Sequence, residues 1–409
     1  MRPERTRYAL SGLSARGMSV FARPLLGEYA GRGELVAVLD PDRERVRAFD
    51  ERLAWYAPDD FERMVLETAP DVLLVAGPDH THAGAILTGL RNGLRVVSEK
   101  PMVTTAADAG RVLAASAPGQ VRVTHNLRYA PRHRLIRRLL DEGAIGRVLG
   151  VELVWNVESL HGASYFQRWN RRAALSGGLA VHKSCHHFDL VGWWLRDTPQ
   201  QVYAAGSLAY FGAASPHNPG AALPVAEQRR RCPFNARWRE EGVELPALRG
   251  RQYGGQERYL YDAEIDIEDN YAALVRYRGG AHLSYSIQFA APWEGYRLGV
   301  NGTHGRLETS LEYGRQAAGP QPPVVVHPMF GERRAYEVPG EHGGHLGADG
   351  PMVADLFGDG PGDLAPAADA ARAVVLGEAV RRSIRTGQAV DVDALLAVAG
   401  GADPAGPLG

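Results

Sequence analysis

The first forty residues constrain the fold more than any other stretch. Residues 8–12 read as a short apolar strand running into a Gly/Ser turn. Met18, Phe21, Leu25, Leu26 and Tyr29 then recur at helical spacing. Pro24 falls inside that helix and predicts a kink or a local break. Residues 34–40 (ELVAVLD) follow as a near-continuous apolar run, the pattern of a parallel strand covered on both faces. The alternation continues with strands predicted over 71–77, 94–100 and 121–126 and a helix over 81–92. Strands separated by helices imply right-handed crossovers, hence an α/β, doubly wound parallel sheet of Rossmann type.

The rhythm changes near residue 127. Long alternating strands are predicted over 148–157, 202–210 and 271–277, with helices at 131–142, 186–195 and 366–386. Arg278-Gly279-Gly280 predicts a hairpin turn into a strand over 281–289, and strands at 296–301 and 304–310 continue the pattern. This second unit reads as an α+β domain around a large, mostly antiparallel sheet. Residues 211–258 are rich in Arg, Pro and Gly without periodicity and read as an inserted loop, in part a lid. Arg229, Arg230 and Arg231 within it read as a solvated charged stretch. The expected organisation is a dinucleotide-binding domain over 1–126, a substrate domain over 127–392 and a flexible tail over 393–409.

Composition agrees with two globular units. The chain has 409 residues, 45% apolar and 23% charged, with a formal net charge of −1. That balance gives no bias towards nucleic acid or acidic membranes. Cys185 and Cys232 lie in dissimilar contexts without a CxxC spacing and read as reduced thiols. No signal-peptide pattern and no run near 18 apolar residues is present, so a soluble, cytoplasmic protein is expected.

Gly12-Leu13-Ser14-Ala15-Arg16-Gly17 sits between the first strand and the first helix. A pyrophosphate needs such a tight turn, close main-chain approach and a helix start aimed at it. Gly12 and Gly17 fit the outer positions of GxGxxG, and Ser14 replaces the middle glycine. Asp40 ends the second strand, 23 residues beyond Gly17. A carboxylate there is expected to accept from the adenosine ribose hydroxyls and to repel a 2′-phosphate, favouring NAD over NADP, with Arg16 and Arg43 partly offsetting the repulsion. Glu99-Lys100-Pro101 ends another strand, where a lysine reaches the ligand crevice of an open α/β sheet.

Together these segments resemble the Gfo/Idh/MocA oxidoreductase family. The resemblance rests on the turn at 12–17, Asp40, Pro78-Asp79-His80-Thr81-His82, Glu99-Lys100-Pro101, the stretch from Gly177 to Asp189, Trp293-Glu294-Gly295-Tyr296 and Gly302-Thr303-His304-Gly305-Arg306-Leu307-Glu308. It implies NAD(P) along the Rossmann edge, held by Gly12, Ser14, Ala15, Arg16, Gly17, Asp40, Pro78, Asp79, His82, Glu99, Lys100 and Asn126. It also implies a sugar, inositol or similar polyol against the second sheet, and a homodimer or homotetramer formed through that sheet's open face. In the family's second-domain motif an aspartate precedes a histidine by four residues and a further aspartate follows three later. Here His186 and Asp189 occupy the last two positions, and His182 replaces the first aspartate with Lys183 beside it. That departure leaves two chemistries open: dehydrogenation of a secondary hydroxyl, and glycoside hydrolysis by transient oxidation, elimination and re-reduction, as in an NAD-dependent subset of the family.

Hydride loss from a secondary alcohol requires its hydroxyl proton to leave as well. A histidine titrates near neutrality and can take it, and an ammonium can stabilise the developing alkoxide. His186 is the expected base, Lys100 its electrostatic partner, and His182 the next candidate, on the same side if the segment is helical. His182, His186, His187 and Asp189 also have ligand chemistry for a metal, but HxxxH lacks the glutamate of HExxH and no metal is expected. The aromatic and polar stretch at 160–169 suits sugar recognition. Substrate contacts are expected from His161, Tyr165, Arg168, Trp169, His182, Lys183, Asp189, Trp293, Tyr296 and the Gly-rich loop bearing His342 and His345.

Overall fold

The computed structural model describes residues 5–220, 222–232, 258–314, 319–341 and 344–401. Its first sheet has seven strands in the order β15-β6-β5-β4-β1-β2-β3. These are β1 (Thr6–Ser11), β2 (Gly33–Leu39), β3 (Trp55–Tyr56), β4 (Val72–Val75), β5 (Arg95–Ser98), β6 (Val121–Val123) and β15 (Ala365–Pro366). All neighbours are parallel except β15, which pairs antiparallel with β6. β4 is buried at every residue, as a strand covered on both faces must be. The strand order reverses between β1 and β4, which opens a crevice at their carboxyl ends. The break predicted at Pro24 takes a definite form. A π-helical stretch, Gly17–Ala22, gives way to the α-helix Arg23–Leu26, whose first turn holds the proline. Ala22 and Arg23 before it are already helical, so Pro24 removes one main-chain N–H from a continuing helix, at the point where the π stretch ends.

The second sheet has nine strands in the order β14-β13-β12-β11-β7-β10-β9-β8-β16. They are β7 (Val148–Glu158), β8 (Pro199–Ser207), β9 (Asn270–Tyr277), β10 (His282–Ala291), β11 (Glu294–Gly302), β12 (Gly305–Tyr313), β13 (Val324–Pro328), β14 (Arg334–Tyr336) and β16 (Val390–Asp391). Only the β7–β10 pair is parallel. β9 and β10 form the predicted hairpin. Along β7, Val151, Leu153, Trp155 and Val157 are buried, while Glu152 and Val154 face outward. Helices Cys185–Leu195 and Ala367–Thr386 pack on one another, and the latter packs on β8. On the open face Tyr203 lies opposite Leu274, and both are about half exposed.

The two sheets share chain. The helix Asp349–Phe357 sets Phe357 edge-on against Tyr8, with ring centroids 5.3 Å apart, and β15 then extends the first sheet. Of the tail expected to fray over 393–409, residues 393–401 instead belong to the helix Val392–Gly401, and 402–409 lie outside the described residues. That helix packs against the helix Ala106–Ala115 and half-buries Leu395 and Leu396. Apolar spacing within an Ala-rich stretch was enough to dock it. Within the expected insert Phe211 stacks on Phe166 at 4.3 Å, and Val225–Arg231 is a helix on which Arg230 and Arg231 pair with Glu227 in solvent. Residues 233–257 lie outside the described residues. Neither Cys185 nor Cys232 is in a disulfide. Among the described residues no helix is long and apolar enough to cross a membrane.

Candidate active site

The glycine turn lies at the sheet's switch point. Gly12 has φ +92°, and a Cβ there would sit 2.4 Å from the Gly77 nitrogen. Two main-chain loops, at the ends of β1 and β4, therefore touch without side chains between them. This is the bare cradle a dinucleotide backbone needs. Ser14, in place of the middle glycine, accepts the Gly17 N–H on its Oγ at 3.0 Å and so tightens the turn from within. Ala15 is half-buried beside it, and Pro78 caps the helix Asp79–Arg91. Arg16 reaches across to Glu99 (3.1 Å) and Asp349 (3.0 Å). Asn126 donates to Asp349 at 2.9 Å, while its Oδ1 is buried and unpartnered. The turn and this orphaned acceptor fit a nicotinamide dinucleotide. Burial opposes charge on Asp349, but His345, Arg16 and Asn126 hold its carboxyl well below the usual range.

Two expectations for this end are corrected. Asp40 is 1% exposed, and its oxygens already accept from Leu13 N–H (2.8 Å), Asp42 N–H (2.8 Å) and the Arg45 guanidinium (3.3 Å). Its acceptor positions are filled by the protein, so it fixes the glycine turn rather than presenting itself to a ribose. His82 spends both ring nitrogens on the Gly77 and Pro101 carbonyls (2.9 and 2.8 Å) and ties two crevice loops together.

Lys100 brings the domains together. Its Nζ donates to the His182 carbonyl at 3.1 Å, and its backbone N–H donates to Glu99. His182 donates from Nδ1 to Asp79, at the start of the helix Asp79–Arg91. His182 and His186 do not share a helix, so the helical condition for placing them on one side is not met. The helix Leu179–His182 ends there, and a new one starts at Cys185. His186 nevertheless faces the same cluster, 6% exposed, with an unpartnered Nδ1 and its ring edge-on to His125 at 5.8 Å. Burial, then the charges of Lys100 and Lys183, hold His186 well below its usual 6.5. Burial likewise lowers His182, with Asp79 opposing, and lowers Lys183, with Glu294 opposing.

A third set of side chains lies in the second domain, beside His182. Glu158 caps the helix Ser159–Phe166 by accepting from Leu160 and His161 N–H. His161 and Tyr165 thus lie four apart on one face. Gly162 lets the helix press onto β10, since a Cβ there would lie 1.7 Å from the Phe289 carbonyl oxygen. Tyr165 donates to His161 Nε2 at 3.1 Å, and His161 Nδ1 donates to Glu294 at 2.8 Å. Tyr165 packs edge-on to His182 at 5.6 Å, and burial pushes its phenol up to about 12. Trp169 also stands edge-on to His182, at 5.8 Å. Arg168 bonds back to Ser164, and its guanidinium lies 5.9 Å from the Tyr165 ring centroid. Glu294 and His125 were missed from sequence. The signal for Glu294 was its place on the buried phase of β11, two residues before Tyr296.

Three expected substrate contacts are elsewhere. Tyr296 is fully buried, stacked on Trp155 at 4.8 Å and bonded to His133, so it is core. Asp189 is buried and grips Arg128 at 2.8 and 2.7 Å, so its oxygens are spent. His345 pairs with Asp349 at 2.8 Å on the cofactor side, away from the substrate cluster. Trp293 is half-buried under Arg297 (5.9 Å), and His342 lies outside the described residues.

The family model described as "Oxidoreductase family, NAD-binding Rossmann fold" matches residues 6–127. Its companion, "Oxidoreductase family, C-terminal alpha/beta domain", matches residues 137–392. YteT of Bacillus subtilis (strain 168), provisionally named an oxidoreductase, is 40% identical over 405 residues, covering 91% of this chain and 94% of its own. An inositol 2-dehydrogenase of Rubrobacter xylanophilus is 26% identical over 214 residues, covering 50% of this chain and 57% of its own. The WlbA dehydrogenase of Bordetella pertussis, solved with NADH and UDP-GlcNAcA, shares the fold with TM-score 0.63 at 19% identity, over 95% of this chain and 99% of that one. The chain belongs to the Gfo/Idh/MocA oxidoreductase family and is an enzyme with an NAD(P)-binding Rossmann domain followed by an α/β domain on a large mixed sheet.

Proposed function

We propose that the enzyme oxidises a secondary hydroxyl of a sugar or polyol with NAD as hydride acceptor. The observation that carries the reading is Lys100 Nζ, set at the carboxyl edge of the Rossmann sheet and held by the His182 carbonyl of the second domain. The turn of Gly12, Ser14, Ala15, Arg16 and Gly17, with Pro78, Asp79, Glu99 and Asn126, lines the cofactor crevice. When bound there, the nicotinamide supplies the two-electron acceptor. Lys100 stabilises the developing alkoxide through its ammonium. The unpartnered Nδ1 of neutral His186 hydrogen-bonds and orients the reacting hydroxyl. Asp79 holds His182, whose carbonyl holds Lys100. His161, Tyr165, Trp169 and Lys183 line the substrate side, and the inositol 2-dehydrogenase relative supports a polyol there.

NAD is favoured over NADP because the partly exposed carboxylate of Asp42 stands just beyond β2, where it repels a 2′-phosphate, and Arg45, the buried cation there, is already engaged by Asp40 and Asp42. The half-exposed Tyr203 and Leu274 and the outward Val154 on the open sheet face support a homodimer or homotetramer. The test is a panel of sugars, polyols and aryl glycosides with NAD, read at 340 nm and for released aglycone. NADH accumulating with a sugar or polyol supports the reading. Aglycone released without NADH, or an inert panel, overturns it. Lys100→Ala and His186→Ala should each lower kcat by about 10²–10⁴-fold. Light scattering that gives a monomer mass at micromolar concentration would remove the assembly.

A further inference from the structure

The reacting hydroxyl must lose a proton, and His186 is badly placed to keep it. It is buried, it has Lys100, Lys183 and His125 around it, and its base strength is far below that of a free imidazole. A second polar chain reaches the same cluster. Tyr165 lies beside His182 and within the field of Lys100. Its hydroxyl is bonded to His161 Nε2 at 3.1 Å, and His161 Nδ1 is bonded to both Glu294 oxygens at 2.8 and 3.0 Å. Glu294 is further fixed by the Glu158 N–H at 3.2 Å. Tyr165 and Glu294 are nearly buried, whereas the His161 side chain is 42% exposed. The chain therefore runs from the closed crevice to solvent.

The hydrogen-bond order is set by chemistry. Ionised Glu294 can only accept, so His161 carries its proton on Nδ1. In the neutral ring Nε2 can then only accept, so the Tyr165 proton points at it. This leaves the lone pairs of the Tyr165 oxygen available to accept a proton. Burial opposes charge on Glu294, yet the hydrogen bond from His161 and the charge of Lys183 hold it below the usual carboxylate range.

We propose that Tyr165, His161 and Glu294 form the proton relay of this enzyme, with Tyr165 as the group that accepts the substrate hydroxyl proton. It rests on the function proposed above. As the carbinol hydrogen leaves with two electrons for the nicotinamide, the O–H bond breaks and its proton passes to the Tyr165 oxygen. The Tyr165 proton moves in the same event to His161 Nε2, so no phenolate accumulates. His161 becomes an imidazolium beside ionised Glu294 and then gives one proton to water. The order matches the Ser-His-Asp arrangement, with tyrosine in the place of serine.

The test has two arms. Imidazole ¹⁵N NMR of the cofactor-free protein reads His161 directly, with His161→Gln to assign the signal. The Nδ1–H tautomer is expected, with an Nε2 shift that changes in Tyr165→Phe. An Nε2–H tautomer overturns the relay whatever the kinetics show. The second arm uses myo-inositol and D-glucose with NAD. Tyr165→Phe should lower kcat by about 10²-fold or more, the scale of acid–base groups, with KM little changed. His161→Ala should lose rate that added imidazole restores in part. Glu294→Asp should retain more rate than Glu294→Gln at equal thermal stability. Near-native kcat in a folded Tyr165→Phe overturns the proposal. If both substrates are inert but the Nδ1–H tautomer is found, the substrate class falls and the hydrogen-bond order stands.

Discussion

His182 and Asp79 are hydrogen-bonded across the crevice, joining the end of the helix Leu179–His182 to the start of Asp79–Arg91. The family pattern has an aspartate where this chain has His182. Here the carboxylate comes from the other domain, and the His182 carbonyl holds Lys100. Asp79→Asn keeps the shape and removes the charge. It should lower kcat and, by weakening one charged hydrogen bond, cost about 1.5–3 kcal/mol of stability. His182→Ala should do the same, and the double variant should be little worse than either single, because the pair acts as a unit. Additive losses in kcat would separate the two residues.

Asp40 gives a prediction opposite to that of a ribose ligand. In Asp40→Asn the buried Arg45 loses its main counter-charge, and the Leu13 N–H loses a charged acceptor. Breaking a buried pair costs about 3–5 kcal/mol. NAD and NADP should weaken together, alongside a lower urea midpoint. A changed NAD/NADP ratio at unchanged stability, measured by titration and melting, would return Asp40 to the ribose.

That contrast shows what could be read in advance. β1, β2 and β4 were legible because apolar runs and a glycine turn leave few alternatives, and the β9–β10 hairpin followed from Arg278-Gly279-Gly280 between alternating strands. Lys100, His182 and His186 were legible as types of chemistry at element ends. The partners were not. Arg45 lies five residues beyond Asp40, yet nothing local says which face of the turn it reaches. Asp189 is spent on Arg128, 61 residues away, and Tyr296 on His133, 163 residues away. Such pairings are decided by tertiary packing, and they divide a polar residue that holds the fold from one that meets a substrate.

Acid should unfold the protein early. Burial depresses His125, His182, His186 and His187, and His133 to about 4. Each stays neutral when folded but takes a proton at its usual 6.5 when unfolded. The unfolded state therefore binds more protons below pH 6.5, and stability falls with falling pH. For His133 the window runs from about 6.5 to about 4. Each such group contributes up to about 1.4 kcal/mol per pH unit inside its window. Urea midpoints should be flat from pH 8 to 7 and drop steeply below 6.5. A flat profile to pH 5 would mean that these imidazoles are charged in the fold.

Arg128 and Asp189 supply the last test. Both are buried, with two bonds of 2.8 and 2.7 Å, and Arg128 also reaches Asp369 at 3.0 Å. The pair ties the 3₁₀ turn Asn126–Tyr129 to the helices Cys185–Leu195 and Ala367–Thr386. Burial opposes the charge on Arg128, but Asp189 and Asp369 outweigh it and leave the guanidinium charged at any working pH. Asp189→Ala strands that charge and should cost about 3–5 kcal/mol, enough to unfold a marginal protein. Asp189→Asn keeps one acceptor and the volume, so the protein should fold with a lowered urea midpoint. His186 lies three residues earlier on the same helix, so kcat should fall by less than about 10-fold through small displacement, with KM nearly unchanged. If Asp189→Asn instead raises KM more than about 10²-fold at wild-type stability, the carboxylate meets the substrate, since only a bonded hydroxyl gives discrimination on that scale.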